Sequence, residues 1–296
     1  MAVKTVQAII NGQTYTLNYN SETQRYEATI TAPAKSSFNE DGHYYPVTVK
    51  ASDDAGNETS VDDTHETLGS SLQLKVKEKV APVSVITAPT SGQLTSNSKP
   101  EITWTVTDDD SGVAADTITL LIDNTPVEGA ITKSPIENGY SCSYTPGTAL
   151  DDGQHTIIVR ASDNDGNAAS DVSVTFRVLA TAPNLSVTTP ANNSYHKTAE
   201  VAFSGTTDGA TLTVKVGDGA EENVTITEGA FSGSLTLTVE GSNTVTFKAV
   251  SESGVETVVT RTLYLDTHAP VVQSVTITPN PVDAGNTYII SVEVTD

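Results

Sequence analysis

Acidic and amide side chains surround a glycine in the stretch VRASDNDGNAAS, residues 159–170. Asp163, Asp165 and Asn167 there carry the oxygen ligands that Ca²⁺ prefers. Calcium takes roughly six to eight oxygens, so three side chains of one loop cannot complete a site. The stretch therefore predicts a calcium site only if a second loop contributes ligands.

A second acidic loop, TDDDSGV at residues 107–113, follows an early strand, and Asp116 lies just beyond it. The two loops are expected at the same pole of a sandwich, although the strands before them belong to different sheets. We predict that the two loops converge. The candidate calcium ligands are then Asp108, Asp110, Asp163 and Asp165.

The same stretch has a second interpretation, a hairpin turn in which the acids only cap backbone groups. A near copy, VKASDDAGNETS, occupies residues 49–60, while a third copy has Ser251, Ser253 and Val255 at the acid and amide positions. The glycine is kept in all three copies, and glycine is the residue that adopts a positive φ without strain. The turn is therefore the feature that every copy requires. Calcium stays an alternative for the first two copies and is not expected for the third.

The chain repeats at the scale of whole domains. The segments VAPVSVITAP, TAPNLSVTTP and HAPVVQSVTITPNP place Pro82, Pro183 and Pro270 at the start of successive units. Proline is tolerated at the start or edge of a strand, and this period is too long for a solenoid repeat. It is typical of tandem β-sandwich domains.

Alternation of apolar and polar residues predicts strands and minimal helix. In the second unit Ile102, Trp104 and Val106 share one face, and so do Ile157 and Val159. The predicted strands of this unit are residues 84–87, 101–107, 117–123, 125–132, 139–145, 155–162 and 171–179. The lone Cys142 alternates with two tyrosines, which indicates a buried small side chain and excludes an internal disulfide.

The pattern "WTVTDDDSGV … VRASDNDGNAAS … TAP" resembles the bacterial immunoglobulin-like repeats of surface proteins and phage virion proteins. The resemblance covers nearly the whole chain and implies a fold more firmly than a function. It implies domains that act as spacers and adhesion modules, some of which bind calcium. The predicted fold class is all-β, with tandem immunoglobulin-like β-sandwiches in a rod.

Four segments are predicted from these repeats. Residues 1–79 form an immunoglobulin-like domain that lacks the first two strands, residues 80–180 and 181–267 form complete domains, and residues 268–296 supply the first two strands of a further unit. Two accounts of the ends stay open. In the first, the chain is a fragment or its first domain is a smaller, five-stranded one; in the second, the last two strands of one copy complete the first domain of the next.

The net charge of the chain limits the classes of partner that it can bind. The 37 acidic and 15 basic residues give a formal charge of −22, which repels nucleic acid and anionic membranes. No apolar stretch is long enough to span a membrane, and residues 1–10 have no apolar core of a secretory signal. The five histidines have no metal-binding spacing, and no catalytic motif occurs, so we expect no enzyme activity.

The sequence thus predicts a non-enzymatic structural or adhesion protein, a stiff extracellular spacer of a phage tail or virion, or of a bacterial cell surface. Its partners would be other copies of itself or neighbouring structural proteins, with end-to-end assembly by strand complementation. The alternative is an adhesion module that binds calcium or a host-surface glycan. For the glycan, one of the adjacent Tyr44 and Tyr45 is expected to point outward.

Overall fold

The computed structural model describes residues 2–296, which form β-strands joined by turns and three short 3₁₀ segments, with no α-helix in that range. The 3₁₀ segments are Asp41–His43, Gly69–Leu72 and Ala115–Thr117. The chain divides into two compact units, one ending at Val178 and one starting at Leu179. Alternation without helical periodicity accounts for this all-β structure. Within residues 2–296 no helix has the length and apolarity to cross a membrane.

The first unit opens with a single sheet, here called the N-terminal sheet. Its strands are β1 (Val3–Ile10), β2 (Gln13–Asn20), β3 (Arg25–Glu27), β4 (Tyr45–Asp53), β5 (Glu58–Val61) and β6 (Gln73–Leu74). The order is β3-β2-β1-β4-β5, with β6 pairing the start of β4. Asn11 and Gly12, both with positive φ, form the tight turn between β1 and β2.

Two sheets packed face to face complete the first unit and are called the second sandwich. Its strands are β7 (Val83–Ala88), β8 (Leu94–Thr95), β9 (Ile102–Thr107), β10 (Thr119–Ile122), β11 (Thr125–Pro126), β12 (Thr132–Ile136), β13 (Gly139–Tyr144), β14 (Gly153–Arg160) and β15 (Val172–Val178). One sheet has the order β11-β10-β14-β15-β8 and the other β12-β13-β9-β7.

The predicted alternation produces the core of the second sandwich. Ile102, Trp104 and Val106 of β9 and Ile157 and Val159 of β14 are all 0% exposed. Cys142 of β13 is buried beside them, and burial raises the pKa of its thiol to about 11. This side chain therefore packs as a small apolar group, as predicted.

One predicted strand of the second sandwich is wrong in its extent. Residues 125–132 were expected to form one strand, but β11 ends at Pro126 and β12 begins at Thr132. Gly129 lies between them with a φ of 101°, a conformation that interrupts a strand. The chain there leaves one sheet and enters the other.

The second unit contains a further sandwich, called the third sandwich. Its strands are β16 (Leu185–Thr189), β17 (Ser194–His196), β18 (Glu200–Thr207), β19 (Thr211–Val216), β20 (Glu222–Val224), β21 (Ile226–Thr227), β22 (Ala230–Thr236), β23 (Gly241–Val250) and β24 (Glu256–Leu265). Its sheets run β16-β18-β22-β21 and β17-β24-β23-β19-β20 around a core that includes Phe203, Phe231 and Phe247.

A separate antiparallel pair follows, β25 (Val271–Thr278) and β26 (Ile289–Thr295), called the C-terminal hairpin. It is a two-stranded sheet, and every residue of both strands is exposed. The two strands expected in residues 268–296 are thus present.

His155 is a titratable residue inside the second sandwich, only 8% exposed. Its Nδ1 lies 2.7 Å from Asp123 Oδ2 and its Nε2 2.8 Å from the carbonyl oxygen of Asp151. Burial alone would lower the pKa of His155, but these two acceptors outweigh it and hold the pKa above its usual 6.5. These acceptors therefore stabilise the doubly donating imidazolium relative to that of a solvent-exposed histidine.

We predict that the second sandwich loses stability as the pH rises from about 6.5 through the folded-state pKa of His155, because the raised pKa stabilises the fold only while the ring is protonated. Urea unfolding followed by the fluorescence of Trp104, the single tryptophan, measures this sandwich selectively. His155→Asn should remove the pH dependence in that window, and His65→Asn, at an exposed histidine, should not. An unchanged pH profile in His155→Asn would contradict the assignment.

Candidate metal site at the joint of the N-terminal sheet and the second sandwich

The two acidic loops of the second sandwich meet, as their strands require. The loop after β9 and the loop after β14 are joined by a β-bridge between Val113 and Asp163. Asn164 adds two contacts: its backbone N–H donates to the carbonyl of Gly112 at 3.0 Å, and its Nδ2 donates to the carbonyl of Ser111 at 2.9 Å. The acids of both loops are therefore held near one another.

Asp163 and Asp108 each close a local turn. Asp163 Oδ1 accepts the backbone N–H of Asn167 at 2.7 Å, and its Oδ2 accepts Asn167 Nδ2 at 2.6 Å. Asp108 Oδ1 accepts the backbone N–H groups of Gly112 at 2.7 Å and Asp110 at 3.1 Å. Both carboxylates are buried, at 2% and 7% exposure, so their remaining lone pairs face a poorly hydrated space.

The turn around Gly166 recurs in all three copies, whatever the charge. Gly56, Gly166 and Gly254 have φ of 86°, 95° and 87°, as predicted for the glycine of this turn. In the first copy Asp53 Oδ1 accepts the N–H of Asn57 at 2.9 Å, and in the third Ser251 Oγ accepts the N–H of Val255 at 3.0 Å. The local turn needs an oxygen at this position and not a charge.

A third carboxylate comes from outside the two loops. Glu78 lies in the segment between β6 and β7, and one of its carboxylate oxygens lies within 4.8 Å of ligand atoms of Asp108 and Asp163. Glu78 Oε1 accepts Ser111 Oγ at 3.1 Å, while its Oε2 accepts the N–H of Val80 at 2.7 Å. We call Glu78, Asp108 and Asp163 the carboxylate cluster.

Burial raises the pKa of Glu78 above its ordinary value, and the hydrogen bond with Asp163 and the charge of Asp108 add to the rise. For Asp163, burial also opposes ionisation, but the hydrogen bonds from Asn167 outweigh it and lower the pKa. The cluster therefore favours either a proton on Glu78 or a cation among the three groups.

The other two predicted ligands point elsewhere. Both carboxylate oxygens of Asp110 accept the backbone N–H of Ser36, at 3.0 and 3.1 Å. Asp165 Oδ2 accepts the backbone N–H of Glu78 at 3.0 Å, and its carbonyl oxygen accepts Lys77 Nζ at 2.9 Å. Asp110 thus attaches the chain around Ser36 to the loops of the second sandwich, and Asp165 attaches residues 77–78. Asp116 is exposed and lies outside the cluster.

The structure thus brings together Asp108 and Asp163, places Asp110 and Asp165 in the joint, and adds Glu78, which sequence reasoning missed. The sequence KEKVAP does show an acid just before a predicted domain start. Nothing in the sequence shows where that acid lies, because its position depends on how the two domains pack.

The donor set of the carboxylate cluster fits a hard cation. All nearby ligands are oxygens: three carboxylates, with the Ser111 hydroxyl beside Glu78. Neither sulfur nor imidazole belongs to this cluster, which favours Ca²⁺ over Zn²⁺ or Cu²⁺. Three carboxylates so close in a buried setting repel one another unless a proton or a cation intervenes.

A second acidic group, Glu240, Asp266 and His268, lies next to the third sandwich and is fully exposed. Glu240 Oε1 already accepts the N–H of Thr267 at 2.7 Å and lies 3.2 Å from His268 Nδ1. These contacts explain the group as a surface cap on the segment after β24.

The tyrosines considered for glycan binding differ from one another in exposure. Tyr45 is buried, and Tyr44 is half-buried with its hydroxyl donating to Asp63 Oδ2 at 2.7 Å. An exposed aromatic pair lies instead on the third sandwich. There Tyr195, 74% exposed, stacks on Tyr264 with ring centroids 4.7 Å apart and an angle of 15° between the planes.

Comparison with known families agrees with this architecture. Residues 81–178 match the family model described as bacterial Ig-like domain. The chain is built of tandem immunoglobulin-like domains. Residues 183–267, the third sandwich, match the model described as domain B of glucodextranase.

Solved structures of similar fold come from several sources. The immunoglobulin-like I-band fragment I67–I69 of titin is 14% identical, with 89% of this chain and 88% of that chain covered and a TM-score of 0.45. A structure concerning host cell surface retention of a 1.5-MDa bacterial ice-binding adhesin is 21% identical, with coverages of 90% and 87% and a TM-score of 0.36. The fibronectin(III)-like modules of Clostridium thermocellum CbhA are 18% identical, with coverages of 62% and 94% and a TM-score of 0.32. These likenesses concern fold alone. No curated protein matches this chain.

We predict that Asp110→Ala loosens the joint. The backbone N–H of the buried Ser36 donates to both carboxylate oxygens of Asp110, and the substitution removes this charged acceptor. A hydrogen bond to a charged group contributes about 1.5–3 kcal/mol, and partial exposure of Asp110 puts the effect at the lower end. Hydrogen exchange of residues 35–39, followed by mass spectrometry, should become faster.

Asp109→Ala is the matched control, because the Asp109 carboxylate accepts Asn138 Nδ2 within the second sandwich and not the N-terminal segment. Equal acceleration of exchange in both variants would show that Asp110 has no special role in the joint.

Proposed function

We propose that this chain is a non-enzymatic structural or adhesion protein that works outside the cell, as a stiff spacer of immunoglobulin-like domains. A phage tail or virion, or a bacterial cell surface, is the setting in which such repeats serve this role. Its partners would be other copies of itself or neighbouring structural proteins. The formal charge of −22 repels nucleic acid and anionic membranes and so disfavours them as partners.

The observation that carries the proposal is the hydrogen-bonded joint between the N-terminal sheet and the second sandwich. Two separate segments, residues 35–39 and 77–78, contact the loops that carry Asp110 and Asp165. A connection fixed by one covalent linker alone leaves domains free to swing. Contacts from two segments restrict that motion, as a spacer requires.

We further propose that Ca²⁺ occupies the carboxylate cluster. Glu78 precedes the second sandwich, whereas Asp108 and Asp163 belong to its loops, so a cation bound by all three ties the linker to the sandwich. Asp110 and Asp165 would then act as residues that position this joint and not as direct ligands. Calcium that binds only the folded joint raises the free energy of unfolding of the joint. The increase is about 2.7 kcal/mol when the free calcium concentration is a hundred times the Kd.

Calorimetric titration of the full chain with CaCl₂, after treatment with chelator, tests this site. Glu78→Gln and Asp163→Asn should each abolish or strongly weaken binding, because each removes a charged ligand. Asp53→Asn is the matched control: Asp53 closes the same turn in the N-terminal sheet but has no carboxylate cluster around it among the described residues.

Absence of calcium binding in the unaltered chain would reject the cation and leave the spacer. The spacer itself is tested by spin labels on β2 and β10 of the full chain. A narrow distance distribution is expected, and a broad one in both calcium and chelator would reject a stiff joint.

The stacked tyrosines of the third sandwich support a second candidate function, glycan binding. Tyr195 lies on the edge strand β17 with Tyr264 opposite it on β24, so one ring face remains open at the sheet edge. Aromatic faces pack against the C–H faces of sugar rings, and hydroxyl side chains of Thr262 and Ser242 lie on neighbouring positions of the same sheet. An oligosaccharide is the ligand that this combination favours.

Binding of the fluorescently labelled chain to an oligosaccharide array tests the glycan proposal. We expect one or a few glycans to bind, Tyr195→Ala to lose them, and Tyr19→Ala to keep them, since Tyr19 is 57% exposed on the N-terminal sheet. Retention of the same glycans by Tyr195→Ala would reject the stacked pair as the site.

We include end-to-end assembly of copies in the proposed spacer function. It is supported by a half-covered apolar face on the N-terminal sheet and by the exposed C-terminal hairpin.

A further inference from the structure

The C-terminal hairpin is a copy of strands that are buried elsewhere in the chain. ISVEVTD at residues 290–296 aligns with ITWTVTD at residues 102–108. The apolar positions Ile102, Trp104 and Val106 are 0% exposed in the second sandwich. Their counterparts Ile290, Val292 and Val294 are 56%, 51% and 52% exposed. The hairpin therefore has the inner face of a sandwich with no second sheet against it.

Its first strand adds to the same face. Val275 pairs with Val292 and Ile277 pairs with Ile290, so their side chains project on one side of the hairpin. Both are exposed, at 57% and 43%. A contiguous exposed apolar surface of this kind marks an interaction site.

The N-terminal sheet has the complementary defect. VTVKASD at residues 47–53 aligns with IIVRASD at residues 157–163. Ile157 and Val159 are 0% exposed, but Val47 and Val49 are only half-buried. Val6 and Leu17, cross-strand partners on the same face, are half-buried as well. This face thus lacks the second sheet that covers its counterpart.

The N-terminal domain also contains the segment that would pair with an added strand. In the second sandwich β13 pairs with β9, with Cys142 opposite Trp104 and Tyr144 opposite Ile102. Residues 24–31 of the N-terminal domain align with residues 138–145, and Gln24 and Asn138 even share a positive φ, 56° and 60°. Yet β3 ends at Glu27, and residues 28–33 belong to no strand.

We propose that the C-terminal hairpin of one copy completes the N-terminal domain of a second copy. Strand β26 adds beside residues 28–31, which follow β3 and belong to no strand of the N-terminal sheet, so that the apolar face of the hairpin covers the apolar face of that sheet. The ladder between β9 and β13 sets the register: Ile290 opposite Ile30 and Val292 opposite Ala28. Added strands gain their affinity from main-chain hydrogen bonds and their specificity from the alternate side chains.

This inference rests on the proposed spacer function and implies that the spacer is a polymer of many copies of this chain. Each copy would offer one hairpin and one receptive sheet, which are different surfaces, so the contact is head-to-tail and joins successive copies into an open filament or, where the rotation closes, a ring. The test below leaves the stiffness of a single chain untouched. A monomer would therefore overturn the polymer without overturning the spacer.

The experiment uses the full chain with Ala28→Cys and Val292→Cys, oxidised at neutral pH. The native Cys142 is 1% exposed and does not compete. We expect a ladder of disulfide-linked species on a non-reducing gel, in steps of one chain, that collapses on reduction. Each single variant should stop at dimers, because one reactive thiol allows only one link.

The pair Ala28→Cys and Glu293→Cys is the register control. Glu293 is the neighbour of Val292 on β26 and projects from the opposite face, so its ladder should be much weaker. An equal ladder from both pairs overturns the proposed register and pairing. A link formed within one chain, seen as a monomer of altered mobility, overturns the second copy as the occupant.

Light scattering on the chain without added cysteines gives an independent readout. We expect oligomers whose masses are multiples of one chain, and their loss in Val292→Asp. Val258→Asp is the control, since Val258 is 52% exposed on the third sandwich, close to the 51% of Val292. A chain that stays monomeric at all concentrations, or oligomers that survive Val292→Asp, overturns the proposal.

Discussion

A β-sheet with one apolar face is stable only when that face is covered, and the structure of this chain follows from that requirement. In the second sandwich the alternating residues of β9 and β14 meet across two sheets and exclude water completely. In the third sandwich Phe203, Phe231 and Phe247 do the same, with ring centroids 5.4 to 6.3 Å apart. Each core is built from side chains that are far apart in sequence, so every strand depends on the sheet opposite.

The same requirement explains why the two ends of the chain differ from its middle. The strands of the N-terminal sheet and of the C-terminal hairpin carry the same alternation as the buried strands, but their apolar faces stay half-covered or exposed. Their sequences are those of sandwich strands, and their surroundings are not. Exposed apolar surface on strands with unpaired edges favours association.

The joint between the N-terminal sheet and the second sandwich depends on a different interaction, the capping of backbone N–H groups by carboxylates. Asp163 closes its own turn, and two residues further on Asp165 reaches the backbone of Glu78. The turn geometry that directs one acid inward therefore directs the other toward the linker. Structural turn and candidate metal site are thus parts of one arrangement, because the residues that shape the turn also assemble the carboxylates around Glu78.

The sequence by itself determined the all-β class, the tandem repeats, the glycine turns and the meeting of the two acidic loops. These features depend on local properties, such as the two-residue alternation of side chains and the positive φ of Gly166, or on the order of strands within one repeat. The tertiary structure alone decided that Glu78 joins Asp108 and Asp163, that Asp110 contacts Ser36, and that Tyr45 is buried while Tyr195 is open. Those outcomes depend on how one domain packs on its neighbour and on which sheet face is covered. Side chains distant in sequence decide both, and no local pattern records their positions.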